Sequence, residues 1–353
     1  MSVSCGKIRV EKLGNGERAS QEMARNVRAA LLSTPKDLSP WPKYFYDERG
    51  SELFEEITEL PEYYQTRAEL SILQEKAAEI VARTRCLELL ELGSGSARKT
   101  RVLLEAMMAE QKRSRPVRYV PLDVSESALR DSARRFLEEY PALEICGFVG
   151  DFDRSLEPLL ARRGRAEGYG RLVIFLGGTI GNFTPERRRS FLSRLRTNLE
   201  EGDHLLVGVD LVKDARALEA AYDDAAGVTA RFNKNLLSVL NRKLGAEFDP
   251  TLFAHRAFYD ADRSRVEMWL DSKVAQEVPV LGFEVPFEAG EGIRTEISAK
   301  FTRPTVERML EEAGFVPTGW YTDERELFGL ALGRSGKSVP AEPHMTTKEK
   351  MRS

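Results

Sequence analysis

From residue 87 onward, short apolar runs alternate with longer stretches in which apolar residues recur every three or four positions. Residues 87–92 are apolar, end in Gly93-Ser94-Gly95, and lead into a stretch carrying Val102, Leu103, Leu104, Met107 and Met108 at helical spacing. Runs at 117–122, 145–149, 172–176 and 204–211 repeat the strand signal. Between them, Leu129, Ala133, Phe136 and Leu137 mark one face of a helix with Ser125 as its expected N-cap, and residues 185–199 predict another. Strands alternating with helices predict βαβ units, a parallel sheet, and ligands held beyond the strand C-termini. The pattern elsewhere is different. Residues 20–82 read as mostly helical, 213–244 as two helices broken near Gly227, 265–270 and 295–301 as strands, and 304–314 with 326–332 as a helix–strand unit returning to the sheet. Residues 1–20 and the tail after Gly333 are polar, lack apolar periodicity and are expected to be mobile. There is no internal repeat or long linker, so a second lobe must be woven from separated pieces of chain.

Composition narrows the partners. The 353 residues suffice for two domains or one elaborated domain. Lys and Arg number 53 against 56 Asp and Glu, a net charge of -3, so no basic excess is available to neutralise phosphates and no nucleic-acid partner is expected. The runs ARRGR (161–165) and ERRR (186–189) read as solvated helix faces and loops. Cys5, Cys86 and Cys146 show neither a disulfide framework nor a C-x-x-C site, which fits a reducing cytoplasm. His204, His255 and His344 lack ligand spacing, so no metal is expected. The start MSVSCGKIRVEK lacks a secretory apolar core, and no uncharged apolar run approaches membrane-spanning length, so the expectation is a cytoplasmic protein without a membrane partner.

The strand ends carry the candidate chemistry. In ELGSGSARKT (91–100), Gly93 and Gly95 let backbone approach a ligand, and the following helix N-terminus favours an anionic group. Position 98 is Arg where a G-x-G-x-x-G motif needs glycine, which weakens a dinucleotide reading. Asp123 closes the next strand, where an acid can hold ribose hydroxyls, and Asp151-Phe152 closes the third, an acceptor for an exocyclic amine beside an aromatic wall. Each acid taken singly reads equally as a turn former or helix cap. Together they suit a nucleoside with an amino-acid tail and no phosphate, S-adenosylmethionine. FLGGTIGNF (175–183) then places three glycines and Asn182 where the fourth strand ends, a tight turn or a close backbone approach. Glu296 and Ser298 of TEIS share one strand face, and a carboxylate beside a hydroxyl can hold both nitrogens of an imidazole, although a polar exposed face has the same pattern. Tyr63 and Tyr222 are open to a second reading as amphipathic packing.

Nine motifs occur in one order: YFYDERGSELFEEITELPEYYQTRAE, ELGSGSARKT, PLDVSESAL, GDF, FLGGTIGNF, DLVKD, AYDDAAGVTARFNKN, VEMWL and TEISAKF. In that order, from about residue 20 to 333, the chain resembles the ergothioneine-pathway L-histidine Nα-methyltransferases. The resemblance implies an α/β fold: a class I methyltransferase Rossmann-like sheet with a second substrate-binding lobe made from the N-terminal segment and an insertion. The expected boundaries are a flexible N-terminus at 1–19, substrate lobe at 20–63 and 213–298, methyltransferase core at 64–212 and 299–333, and a flexible tail at 334–353.

It also implies site residues. Gly93, Lys99, Asp123, Asp151 and Phe152 match the family's S-adenosylmethionine contacts. Asn182, Tyr63 and Tyr222 match the groups holding the amino acid's carboxylate and amine, with Tyr63 and Asn182 as the candidate catalytic pair that orients the amine. Gly177, Gly178 and Thr179 are small enough to let that nitrogen turn between successive transfers. Tyr46 and Met268 match residues lining the imidazole end with Glu296 and Ser298. The activity implied is S-adenosylmethionine-dependent trimethylation of the α-amine of L-histidine to hercynine, by a monomer acting on a small molecule without a metal. The alternatives are an N-methyltransferase of a tryptophan-like or modified amino acid, or an idle S-adenosylmethionine-binding protein. Indole-accepting relatives depart from the glutamate, so Glu296 favours histidine.

Overall fold

The five strands expected between residues 87 and 211 all form and lie parallel in one eight-stranded sheet. In a computed structural model describing residues 8–13, 16–95, 97–110, 116–162 and 170–336, the sheet runs Ile8–Lys12, Glu144–Val149, Arg118–Asp123, Glu88–Leu92, Arg171–Phe175, His204–Asp210, Phe328–Ser335 and Phe315–Thr322. The first six are parallel, and Phe328–Ser335 is antiparallel to both its neighbours. The sheet is buried on both faces, which is why its central strands are mostly apolar, with the buried Glu88 and Glu91 as exceptions. Leu90 and Leu92 pack with Val173 and Phe175 against Phe191 and Leu195 of the helix Pro185–Thr197. Leu89, Leu172 and Ile174 point the other way, onto Ile72 and Leu73 of the helix Gln65–Thr84 and Leu103 and Leu104 of the helix Arg98–Glu110.

Strand order reverses between Glu88–Leu92 and Arg171–Phe175, so the two loops that follow these strands flank the switch-point crevice where open α/β sheets bind ligands. Those loops are ELGSGS and FLGGTIGNF.

A separate apolar core joins Val27 and Leu31 of the helix Gly16–Leu31, Leu53 and Ile57 of the helix Glu48–Thr58, and Phe232 and Leu236 of the helix Val228–Leu244. It also includes Val266, Met268, Leu270 and Ile293 from a four-stranded sheet ordered Lys36–Asp37, Gly292–Ala299, Arg265–Ser272, Phe253–Asp260. Gly227 takes φ +67° at the break expected between two helices. The strand Gly292–Ala299 runs on to Phe301, which bridges to Leu211 beside the end of the central strand His204–Asp210. One polypeptide face is thereby carried from the second core to the crevice.

Several elements depart from the expected pattern. Residues 8–12, expected within a mobile end, form an edge strand paired with Glu144–Val149. The first helix begins at Gly16, and the last strand extends to Ser335. The strands Phe253–Asp260 and Phe315–Thr322 and the hairpin Gln276–Val280 with Phe283–Phe287 were not expected. Cys86 is a buried thiol, its Sγ 3.4 Å from the Thr84 carbonyl oxygen, whereas Cys146 is disulfide-bonded, which the spacing did not predict. Residues 1–7 and 337–353, on which mobility was also expected, lie outside the described residues, as do Cys5, His344 and 163–165 of ARRGR. Among the described residues no helix is long and apolar enough to cross a membrane.

Candidate active site

The crevice has a nucleoside-shaped half. Gly93 and Gly95 take φ of +82° and +45°, and a Cβ at either would project into open space, where a ligand can approach the backbone. Between them the Ser94 hydroxyl oxygen is buried without a partner. Asp123 accepts from the Gly95 N–H at 3.0 Å and the Ser125 N–H at 2.9 Å, so it does form the turn, with carboxylate lone pairs left for hydroxyls. Phe152 packs edge-on against Phe175 and Phe191 and tilted against Phe183, a rigid aromatic wall. Asp151 beside it accepts from the Lys43 ammonium at 2.5 Å, a partner supplied by the N-terminal segment. A glycine cradle, an orphaned hydroxyl and two acids above an aromatic wall fit S-adenosylmethionine. Among the described residues no cluster of side chains could hold a metal.

Glu69, in the helix Gln65–Thr84, links the two glycine loops. Its carboxylate accepts from the Gly177 N–H at 2.9 Å through both oxygens and pairs with Lys99 at 2.5 Å. A Cβ at Gly208 would overlap that carboxylate, so glycine is needed there because a charged group approaches so closely. Gly177 is held to glycine by its left-handed φ of +75°. Below the loop, Thr100 and Tyr119 donate to Glu91, whose carboxyl burial pushes up to about 7.

The other half is bounded by the turn after Arg171–Phe175 and by the strand Gly292–Ala299. Thr179–Asn182 is a single 3₁₀ turn, and a Cβ at Gly181 would lie 2.9 Å from the Ala299 carbonyl oxygen. The turn is thus pressed against the strand carrying Glu296 and Ser298. Asn182, at its end, is half-buried and makes no side-chain hydrogen bond within the protein. Tyr63 lies edge-on to Tyr222 at 6.5 Å, its hydroxyl 3.4 Å from Gln65 Oε1. Burial pushes its ionisation well up, so it stays a neutral phenol. Tyr46 is about a third exposed, edge-on to Phe54 and Phe232, with burial of its hydroxyl and the nearby Glu296 pushing its ionisation up.

Glu296 pairs directly with Met268 across the strands, so both face the pocket together. Its side chain is among the buried acids, at 9% exposure, yet among the described residues the carboxylate has no hydrogen-bond partner. Burial pushes it to about 7, with Lys300 opposing. Ser298, two residues on, accepts from the Tyr222 hydroxyl at 2.7 Å. Tyr222 also accepts from Gln65 Nε2 at 3.0 Å, so its hydroxyl is occupied by protein partners rather than open to the pocket.

Sequence reasoning missed a buried charge relay behind this face. Lys300 continues the Glu296–Ser298 alternation, is wholly buried, and meets Asp210 at 2.8 Å. Asp210 also pairs with Lys213 at 2.5 Å and accepts from the Tyr64 hydroxyl at 2.9 Å. Burial lowers the Lys213 ammonium to about 8 against the pull of Asp210. The period-two pattern of TEISAKF was the available signal for Lys300. His255 fixes the Tyr222 backbone: its Nε2 donates to the Tyr222 carbonyl at 2.8 Å while its Nδ1 accepts from Asn233.

Comparison with known proteins bears on this geometry. A family model described as "Histidine-specific methyltransferase, SAM-dependent" matches residues 23–335. The chain is 48% identical over 320 residues to a histidine N-alpha-methyltransferase of Mycolicibacterium smegmatis, covering 90% of this chain and 96% of that protein. The corresponding protein of Mycobacterium tuberculosis is 46% identical over 312 residues, with 88% and 94% covered. Ergothioneine biosynthesis protein 1 of Schizosaccharomyces pombe is 34% identical over 244 residues, 67% of this chain but 31% of that longer protein.

Proposed function

This chain belongs to the histidine-specific, S-adenosylmethionine-dependent methyltransferase family, and from that premise we propose how its pocket recognises L-histidine and trimethylates the α-amine. The product is hercynine, and the reaction is the first step of ergothioneine biosynthesis. The observation that carries the assignment to side chains is Glu296: a buried carboxylate without a protein partner, beside Ser298 and opposite Met268. Leaving such a group unpaired is unfavourable, and an imidazole N–H supplies the missing donor.

Bound S-adenosylmethionine supplies a methyl group already activated as a sulfonium. The protein's task is mainly alignment. Gly93, Asp123, Asp151 and Phe152 hold the nucleoside, and Lys99 faces the amino-acid tail. Asn182 donates its free amide to the histidine carboxylate without placing a cation beside the sulfonium. Tyr63, a neutral phenol with one long hydrogen bond, accepts from the α-amine and orients its lone pair. With its ionisation raised it cannot serve as a base near neutral pH, so the amine's protons leave through solvent. Gly177 and Gly178 bring backbone rather than side chains to the reacting nitrogen, leaving it room to turn as it gains methyl groups.

Mass spectrometry of L-histidine incubated with enzyme and S-adenosylmethionine tests the reading. The expected product carries three methyl-for-hydrogen replacements on the α-nitrogen. Methylation of tryptophan in preference to histidine, or of neither, would refute it.

A further inference from the structure

The hydrogen-bond directions around Ser298 are not free. Lys300 is a wholly buried ammonium with three protons and three acceptors: Asp210 Oδ2 at 2.8 Å, the Tyr222 hydroxyl at 3.0 Å and the Ser298 hydroxyl at 2.8 Å. An ammonium only donates, so the Tyr222 and Ser298 oxygens both accept from it. Tyr222 accepts a second time from Gln65 Nε2, whose own Oε1 faces the Tyr63 hydroxyl. With both lone pairs taken, Tyr222 must send its proton to Ser298, 2.7 Å away. Ser298 therefore accepts twice, and its remaining proton can only be donated.

We propose that Lys300 is a positioning residue that sets the polarity of the imidazole subsite, so that Ser298 donates, Glu296 accepts, and the pocket takes histidine only with a neutral ring. One ring nitrogen must carry a proton for Glu296 and the other must be bare for Ser298. An imidazolium, protonated on both, meets a hydroxyl that cannot accept. The inference rests on the reading above that Glu296 and Ser298 face the imidazole. The titratable groups around the subsite are Glu296, Tyr46 and Tyr63 on the pocket side, with Asp210, Lys213 and Tyr64 behind Lys300. The tyrosines stay protonated, their ionisation raised by burial. Glu296, at about 7, titrates in the same range as the ring, so the protonation of the bound ring is best read directly.

The test is nitrogen NMR of ring-¹⁵N-labelled L-histidine bound to the full-length enzyme with S-adenosylhomocysteine, at about pH 6, where free imidazole is mostly doubly protonated. One protonated and one bare nitrogen in the bound ring is the expected result. Two protonated nitrogens would overturn the proposal. In turnover assays the wild-type KM for histidine is expected to climb at least tenfold for each pH unit below the free ring's pKa, more steeply where Glu296 also takes up a proton. Lys300→Met returns a lone pair to Ser298 and should flatten that climb, a change that a purely structural role of Lys300 would not cause; an unflattened climb counts against the proposal. Where Lys300→Met does not fold, Ser298→Ala is expected to raise KM about tenfold or more at high pH with the same flattening. If Ser298→Ala and Glu296→Gln both leave the histidine KM unchanged, the placement of the imidazole fails. If they raise it while the bound ring is doubly protonated, only the polarity set by Lys300 fails.

Discussion

Replacing Glu296 with glutamine exchanges the proposed charged acceptor for the imidazole for a neutral amide oxygen and also removes a buried charge, and the two effects have opposite signs. Burial raises the Glu296 carboxyl from its ordinary 4.5 to about 7 against the pull of Lys300. Because the folded-state value lies above the unfolded one, the folded protein holds this proton more tightly. The group therefore favours folding least where it is ionised: relative to acid pH, stability falls as pH rises from 4.5 through about 7, then levels off. At about 1.36 kcal/mol per pH unit, keeping the carboxylate ionised above that range costs about 3 kcal/mol. Glutamine has the same shape and never ionises, so Glu296→Gln is expected to be the more stable protein above pH 7, by up to about 3 kcal/mol less whatever its unpaired amide costs. Below about pH 4.5 that advantage disappears. The histidine KM should meanwhile rise by about tenfold, since a hydrogen bond to a charged group is worth about 1.5–3 kcal/mol and one to the neutral amide oxygen about 0.5–1.5 kcal/mol. Urea unfolding of both proteins at about pH 5 and pH 8.5, with histidine kinetics at the higher pH, reads both effects. A glutamine variant that is less stable at the higher pH, or whose advantage does not change with pH, would refute the buried ionised carboxylate. An unchanged KM would remove Glu296 from the subsite.

Asn182→Ala should weaken every amino-acid ligand alike, by about 1.5–3 kcal/mol in calorimetric titration, with S-adenosylhomocysteine affinity unchanged; a loss confined to histidine would contradict a carboxylate role. Gly181→Ala puts a Cβ 2.9 Å from the Ala299 carbonyl oxygen, with backbone on both sides, so turnover should collapse through displacement of Asn182 while S-adenosylhomocysteine still binds. Wild-type turnover in that variant would show that the turn need not touch the strand. Asp210→Asn leaves Lys300 and Lys213 without their shared counter-charge and should destabilise the protein by about 3–5 kcal/mol in chemical denaturation. A loss under about 1 kcal/mol would mean that one of the lysines is neutral or finds water.

What could be read from the sequence, and what could not, follows from where the signal lies. The central strands were legible because both their faces are buried, so Leu87–Leu92 and its successors are predominantly apolar runs ending in Gly or Asp, broken in the first by the buried Glu88 and Glu91. Ile8–Lys12 was not, because an edge strand needs apolar residues on one face at most, and IRVEK has the composition of a polar tail. Phe315–Thr322 was missed for the opposite reason: its proline and glycine argue against a strand, but it sits at the far edge of the sheet with a register shift at Pro317–Gly319, where both are tolerated. In the site, the sequence singled out Asn182 and Glu296, which make no side-chain hydrogen bond among the described residues, and Asp123, which holds the turns at Gly95 and Ser125. It did not single out residues whose meaning depends wholly on a distant segment. Glu69 reads as an ordinary acid on a helix until the fold brings Gly177 and Lys99 to it, and Gly208 looks replaceable until Glu69 fills the space of its Cβ. Charged residues are mostly exposed, and that prior hid Asp210, Lys213 and Lys300, although all three stood in motifs already singled out. An ammonium is stable in so buried a place only because Asp210 arrives from the central sheet and Ser298 and Tyr222 from the second core. The same convergence that keeps Lys300 charged therefore also ties the substrate pocket to the end of the strand beside which the cofactor loops open.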